Sequence, residues 1–262
     1  LRPARPHAAR PRLGRDSLAM TVRNLLILRR IPQQVVFATV QPIMIVLMFR
    51  YVLGGAIDVP EVAYVDYLMP GVFAQAIAFG AMGTAIGLAG DQQAGNLTRF
   101  RTLPMARSAI VVGRTGADLA RNLVVVALMA GVGFAVGFRV HTSVPAFLAA
   151  LGLLLAFGYA LSWGAAVLGL VIGDAESAQG ASVPVVFLLV FASSAFVPVE
   201  SMPGWLQAFA THQPVTAIVS AARALSLGGP TAGHVAAAVA WIAGLLVVFV
   251  ALATARVRGS AT

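Results

Sequence analysis

Six stretches of this chain, each about the length needed to cross a bilayer, contain no Asp, Glu, Lys or Arg. A spanning helix needs about 20 mostly apolar residues, and a charge held in hydrocarbon is costly. The charge-free windows are Ile31 to Phe49, Tyr67 to Gly90, Asn122 to Phe138, a span within Val140 to Gly173, one within Ser177 to Val199, and one within Ala224 to Ala255, placed from His234 onward. Hydrophobic residues make up 59% of the 262 and charged residues 10%, against roughly half and a quarter in soluble domains. One soluble core cannot hide that much apolar surface, so the sequence predicts an all-α polytopic membrane protein with six transmembrane helices.

A further apolar stretch lies between Glu200 and Arg223, but Pro203, Gly204 and Pro214 interrupt it and His212 and Gln213 break it. It predicts a segment of one or two short re-entrant or interfacial helices between spans five and six. Broken backbone at membrane depth is tolerated where protein or water surrounds it. Arginine counting sets the orientation. With six spans, the side of the termini carries 15 Arg (eight in the N-terminal tail, five between spans two and three, two at the C-terminus), and the opposite side carries Arg50, Arg139 and Arg223. The positive-inside rule then gives N-in, C-in. The expected organisation is a disordered basic tail over 1–15, an amphipathic interface helix over 16–30, a six-span membrane domain over 31–256 and a cytosolic tail over 257–262. Because the sequence opens on Leu1, Met20 is an alternative start.

Leu18, Val22 and Leu25 recur at i, i+4 and i+7, with Arg23, Asn24 and Arg30 off that stripe. That pattern suits a helix lying in the headgroup plane, as a lipid anchor or as a contact for a cytosolic partner. The loop from Asp91 to Arg121 carries Arg99, Arg101 and Arg107, a breaker at Pro104 and an N-cap at Ser108. Beyond the cap, Arg114, Asp118 and Arg121 form a polar ladder at i, i+4 and i+7. These features predict a rigid cytosolic element with a docking role.

Several chemistries are excluded. All 18 basic residues are Arg, so there is no P-loop lysine and no Schiff-base lysine. With no Cys there are no thiol nucleophiles, disulfides or cysteinyl metal sites. No acid falls within the six windows, and His141, His212 and His234 sit at their edges, which argues against a proton-coupled carrier. No metal site, GxSxG, HExxH or paired-carboxylate site is visible, and the chain is not expected to be an enzyme. Phe73, Gln75, Phe79 and Met82 recur along span two, and Ser193, Ser194 and Phe196 lie in the outer part of span five. Apolar walls with a few hydroxyls and amides suit an amphiphilic cargo, although ordinary packing explains many Phe and Met positions. Gly83/Gly87, Gly133/Gly137 and Gly169/Gly173 are GxxxG pairs that let helices approach closely. The cluster of Gly80, Gly83, Gly87 and Gly90 suggests a homodimer seam.

Three motifs carry a family resemblance: RFRTLPMARSAIVVGR (Arg99 to Arg114), FASSAFVPVESMPGWLQAFATHQPVTAIVSAARAL (Phe191 to Leu225) and QPIMIVLMFRYVLGGAI (Gln41 to Ile57). With YVDYLMPGVFAQ (Tyr64 to Gln75), the chain over about 16–255 resembles the permease subunit of a type-2 ABC exporter. It looks most like the daunorubicin/doxorubicin-resistance branch of actinobacteria. The resemblance implies an efflux permease in the bacterial plasma membrane that works with a separate cytosolic ATPase subunit and a second permease copy or paralogue. ATP and Mg would be bound by that ATPase and no cofactor by this chain; lipids surround it and no nucleic acid is involved. It further implies a coupling element of Asp91, Gly95, Arg99, Arg101 and Pro104, with Asp174 and Glu176 as a secondary contact. Phe73, Gln75, Phe79, Ser193, Ser194 and Phe196 would line the path, and Pro203, Trp205, Phe209 and Pro214 would form an outer gate. An ion-coupled secondary carrier and a membrane-embedded lipid-modifying protein are the competing readings.

Overall fold

The computed structural model describes residues 13–30, 32–53, 62–96 and 108–259, and all regular structure among them is helical. The helices are α1 (Leu13–Arg30), α2 (Pro32–Leu47, continuing as a wider π-helical turn over Met48–Leu53), α3 (Tyr64–Gln93), α4 (Ala109–Ala135), α5 (Val144–Ile172), α6 (Ala175–Phe191), α7 (Gly204–Thr211), α8 (Pro214–Leu227) and α9 (Thr231–Gly259). Four are long and apolar enough to cross a membrane: α3, α4, α5 and the Thr231–Arg256 part of α9. The protein is therefore a polytopic helical membrane protein.

α3 is the axis of the bundle. Leu68, Met69, Val72, Phe73 and Ile77 are all buried on it, packed with Phe147, Leu154, Phe157 and Ile218 from the surrounding helices and with Phe138 from the connection after α4. α9 lies at the periphery, where Val239, Val247, Val248 and Leu252 remain exposed. In lipid, helices gain little from the hydrophobic effect by associating, so close backbone approach has to supply the packing energy. Gly169 of α5 does this: a Cβ there would stand only 3.0 Å from Ala85 Cα of α3. Gly173 then ends α5 in the left-handed conformation, with φ 73°.

Two expected boundaries move. The third span does not begin at Asn122. α4 runs unbroken from Ala109, so Arg114, Asp118 and Arg121 belong to the long apolar helix rather than to a separate loop helix. The fifth span, expected within Ser177 to Val199 with Ser193, Ser194 and Phe196 in its outer part, ends as a helix at Phe191, so those three residues lie beyond it, where Ser193 turns its hydroxyl onto Val190 O. The Glu200–Arg223 stretch holds two short helices, α7 and α8. α7 is largely exposed, whereas α8 buries Val215, Ile218, Val219 and Ala222.

α1 packs across the start of α4 in a seat made by small residues. Met20 fills the space over Gly113, and a Cβ on Gly116 would lie 3.0 Å from Thr21 Oγ1. Its buried face is Ser17, Met20 and Asn24, while Leu18, Val22 and Leu26 are exposed. An apolar stripe turned away from the protein suits a helix that lies against lipid.

Candidate functional site

The site is built from the polar groups that α4 directs at α3. Arg114 donates from Nη2 to Gly83 O at 2.7 Å, and Arg121 donates from Nη2 to Gly80 O. These carbonyls are reachable because α3 carries glycine where side chains would stand. A Cβ on Gly80 would lie 2.9 Å from Arg121 Nη2, one on Gly83 3.0 Å from Arg121 Nη1, and one on Gly87 2.6 Å from Arg114 Nη1. Three of the four glycines read as a homodimer seam are therefore seats for guanidinium groups of the same chain. Asp118 lies between the two arginines in sequence, buried, with Oδ1 3.4 Å from Arg121 Nη1.

Beside this ladder a cavity of about 740 Å³ opens between α2, α3, α4 and α6. Gln41, Gln75, Phe79, Arg114, Arg121 and Gln179 contribute to its wall, with Pro42, Met82 and Ile86 as apolar surface. Gln75 is 1% exposed and its Oε1 has no hydrogen-bond partner among the described residues. A separate apolar cavity of about 220 Å³ lies on the other side of Met82, lined by α3, α5, α6 and α9 residues such as Leu161, Val186 and Phe249.

The other expected path residues sit elsewhere. Phe73 is in the core, edge-on to Phe138 with ring centroids 6.4 Å apart. Ser193, Ser194 and Phe196 belong to a hydrogen-bonded knot at the Asp66 end of the bundle. Tyr67 and Tyr64 hydroxyls donate to Ser194 O and Phe196 O, both at 3.1 Å. Ser194 N donates to Thr216 Oγ1 at 3.1 Å, and Gln213 Nε2 donates to Ala192 O. Arg223 closes the knot: Nε donates to Tyr67 O at 2.9 Å, Nη2 to Ala195 O at 3.0 Å and Nη1 to Ser194 Oγ at 3.4 Å, with the guanidinium 3.4 Å above the Tyr67 ring. This irregular backbone is satisfied by protein, as its burial requires. Nearby, Asp66 accepts from Arg139 N at 2.8 Å and pairs with His141 Nε2 at 2.9 Å. Pro203 and Pro214 bracket α7, where Trp205 is 76% and Phe209 42% exposed, so neither aromatic is part of the core.

At the opposite end the two connections expected to couple come together. Gly173, just past α5, abuts the Gln92 side chain, and Gly90 faces Ala175, where a Cβ would meet it at 3.8 Å. Asp91 accepts from Asn96 Nδ2 at 2.9 Å and pairs with Arg23 of α1 at 3.6 Å. Gly95 turns the chain with φ 71°. Asp174 caps α6, accepting from Ser177 N at 2.7 Å, and that bond holds its carboxyl below the usual carboxylate range. Glu176 lies in the first turn of α6. Arg99, Arg101 and Pro104 lie outside the described residues. Sequence reasoning put Arg114, Asp118 and Arg121 in a cytosolic docking element, whereas the structure turns them onto α3, and it gave Arg223 no site role. The i, i+4, i+7 ladder of α4, matched against the glycine spacing of α3, was the usable signal.

Long apolar helices around a polar cavity define a multi-pass membrane transport component. The sequence profile of the ABC-2 type transporter family matches residues 16–227, and the chain belongs to that family. It is similar to the daunorubicin resistance ABC transporter permease protein DrrB1 of Streptomyces coeruleorubidus, 33% identical over 230 residues, covering 88% of this chain and 81% of the relative. It is also similar to the probable doxorubicin resistance ABC transporter permease protein DrrC of Mycobacterium tuberculosis, 29% identical over 215 residues, 82% and 78% of the two chains. A third relative, the doxorubicin resistance permease protein DrrB of the same species, is 27% identical over 161 residues, 62% of this chain and 56% of its own. The chain is thus the transmembrane permease of an ABC transporter in a bacterial membrane, a transport component.

Proposed function

We propose that this permease exports amphiphilic cargo, drug-like or lipid, from the cytoplasm or inner leaflet, driven by ATP that a separate ATPase subunit binds with Mg. The cavity between α2, α3, α4 and α6 is the observation that carries this reading. It combines amide and guanidinium groups with apolar wall, as an amphiphile requires. The names of the relatives favour drug resistance as the biological setting. A second permease copy or paralogue completes the path across the open side of the cavity.

In this reading α2 and α6 complete six crossings with both termini inside, and 16–30, 31–256 and 257–262 act as interface helix, permease domain and cytosolic tail. The Asp91 end is cytosolic. Two of the 15 arginines counted for that side, Arg114 and Arg121, are committed to α3, and 15 − 2 = 13 still exceeds three. Asp91, Gly95, Arg99, Arg101 and Pro104, backed by Asp174 and Glu176, receive the ATPase, and α7 with Pro203, Trp205, Phe209 and Pro214 gates the outer side. The adjacency of Gln92 and Gly173 supports one shared docking surface.

The buried Asp118 removes the argument that no acid lies in a long apolar helix, so the carrier alternative has to be tested directly. In vesicles reconstituted with the ATPase, export should need ATP and survive collapse of the proton gradient; export driven by the gradient without ATP overturns the reading. Arg99→Ala with Arg101→Ala should insert normally but lose ATPase co-purification. Equal recovery of the ATPase would show the loop to be only a solvated connector.

A further inference from the structure

We propose that the arginine-bearing cavity is a binding site for the anionic headgroup of an amphiphile, a phosphate ester or a free carboxylate drawn in from the inner leaflet, with Arg114 as its principal anchor. The inference rests on the cavity reading above and names the chemical class that the cavity takes.

Depth makes the case. Asp91, paired with Arg23 of the interface helix, marks one edge of the bundle. Counting along α3 at about 1.5 Å per residue, Gly83 lies about 12 Å and Gly80 about 16 Å inward. Half the hydrocarbon thickness is about 15 Å. Arg114 and Arg121 therefore hold their guanidiniums inside the bilayer, one of them close to its middle. Charge at such depth is costly unless compensated, and it marks substrate pathways. Among the described residues the compensation is incomplete. Asp118 is the carboxylate of this ladder, and it pairs with Arg121. Two guanidiniums against one carboxylate leave one positive charge in excess.

The group with donors to spare is Arg114. Among the described residues it donates to one acceptor, Gly83 O, and a guanidinium carries five N–H donors. It borders the cavity, and so does Gln75, a buried amide whose Oε1 has no partner among the described residues. The Gln41, Gln75 and Gln179 amides can donate to further anion oxygens, while Phe79, Met82 and Ile86 give an alkyl chain an apolar wall. A phosphate monoester matches this set because a guanidinium fork binds its oxygens two at a time. A cationic amphiphile meets the same excess charge as repulsion.

The test is equilibrium binding to the full-length permease in nanodiscs of zwitterionic phosphatidylcholine, read by displacement of a fluorescent phosphatidic acid. Dodecyl phosphate should displace the probe, while dodecyltrimethylammonium and inorganic phosphate at the same concentration should not. Displacement by inorganic phosphate equal to that by dodecyl phosphate would overturn the amphiphile assignment, and equal displacement by the cationic detergent would overturn the charge assignment. Arg114→Gln should weaken probe binding about tenfold or more, which is about 1.4 kcal/mol, and Arg114→Lys should restore a substantial part. A second, independent variant is Gln41→Trp, at an exposed position of α2, which should lower binding by filling the cavity. Wild-type affinity in Arg114→Gln, or in Gln41→Trp, overturns the proposal. No ATPase is present, so failure here leaves the export reading standing, whereas failure of that reading appears only in ATP-driven turnover.

Discussion

Replacing Arg223 with methionine tests whether one α8 side chain holds the irregular segment after α6 in place. The native guanidinium donates to Tyr67 O, Ala195 O and Ser194 Oγ and lies on the Tyr67 ring. Methionine keeps the apolar stem and removes every donor. Hydrogen bonds from a charged donor contribute about 1.5–3 kcal/mol each when counted alone. Three bonds from one group do not add, and Arg223 is only partly buried, so a net loss of about 3 kcal/mol is expected. At about 2–4 °C per kcal/mol for chains of this size, melting should fall by about 6–12 °C. The assay is thermal unfolding of a detergent-solubilised fluorescent fusion followed by size exclusion, compared with His234→Gln at an exposed position. Arg223→Lys should recover less than half the loss, because a point ammonium cannot reproduce a fork that reaches three acceptors. A melting point for Arg223→Met within about 2 °C of the control would refute the clamp and mean that these carbonyls find other partners without it.

Gly87→Leu should expel the Arg114 guanidinium from its seat on α3, lowering both thermal stability and phosphatidic acid binding; an unchanged affinity would separate the glycine from the site. Asp174→Ala should lower the melting point at neutral pH. Because the native carboxyl titrates below its ordinary value of about 3.9, the capping contribution is complete above that value and fades only as pH falls through the native pKa; a difference that vanished already at pH 6 would contradict this. Trp205→Ala with Phe209→Ala should leave melting nearly unchanged, since both rings are exposed, yet reduce export at normal membrane levels; full export would remove the gate assignment.

Much of the fold was legible because lipid imposes a simple rule, that long apolar helices carry few charges. The rule failed where charges are satisfied by a neighbouring backbone. Arg114, Asp118 and Arg121 look like the edge of a loop when charge-free windows are the criterion. Only the bare carbonyl surface of Gly80, Gly83 and Gly87, on another helix, allows them inside. The end of α6 was misplaced for a related reason. Serine is tolerated in a helix, and nothing local to Ser193 and Ser194 announces that Tyr67, Thr216 and Arg223 will satisfy the turned backbone. Of the residues assigned to the path, Gln75 and Phe79 line the cavity because they share one face of α3, whereas Phe73 falls on the face covered by Phe138. Helical spacing alone cannot say which face a central helix turns to which neighbour.

α4 has no proline and no break between Ala109 and Ala135, which makes it a stiff rod of about 40 Å. Tilting such a rod by about 5° about its Ala135 end would carry Arg114, about 31 Å away, sideways by about 3 Å. That is as far as the Arg114 bond to Gly83 is long. The same rod receives α1 on its first turns, at Gly113 and Gly116. In the proposed reading, a displacement of α1 and headgroup binding at Arg114 act on one rigid object, and they cannot be tuned separately. A substitution that loosens the α1 seat at Gly113 should change ligand affinity although it touches no part of the cavity, and a ligand that straightens Arg114 onto α3 should be felt at α1 as a change in angle.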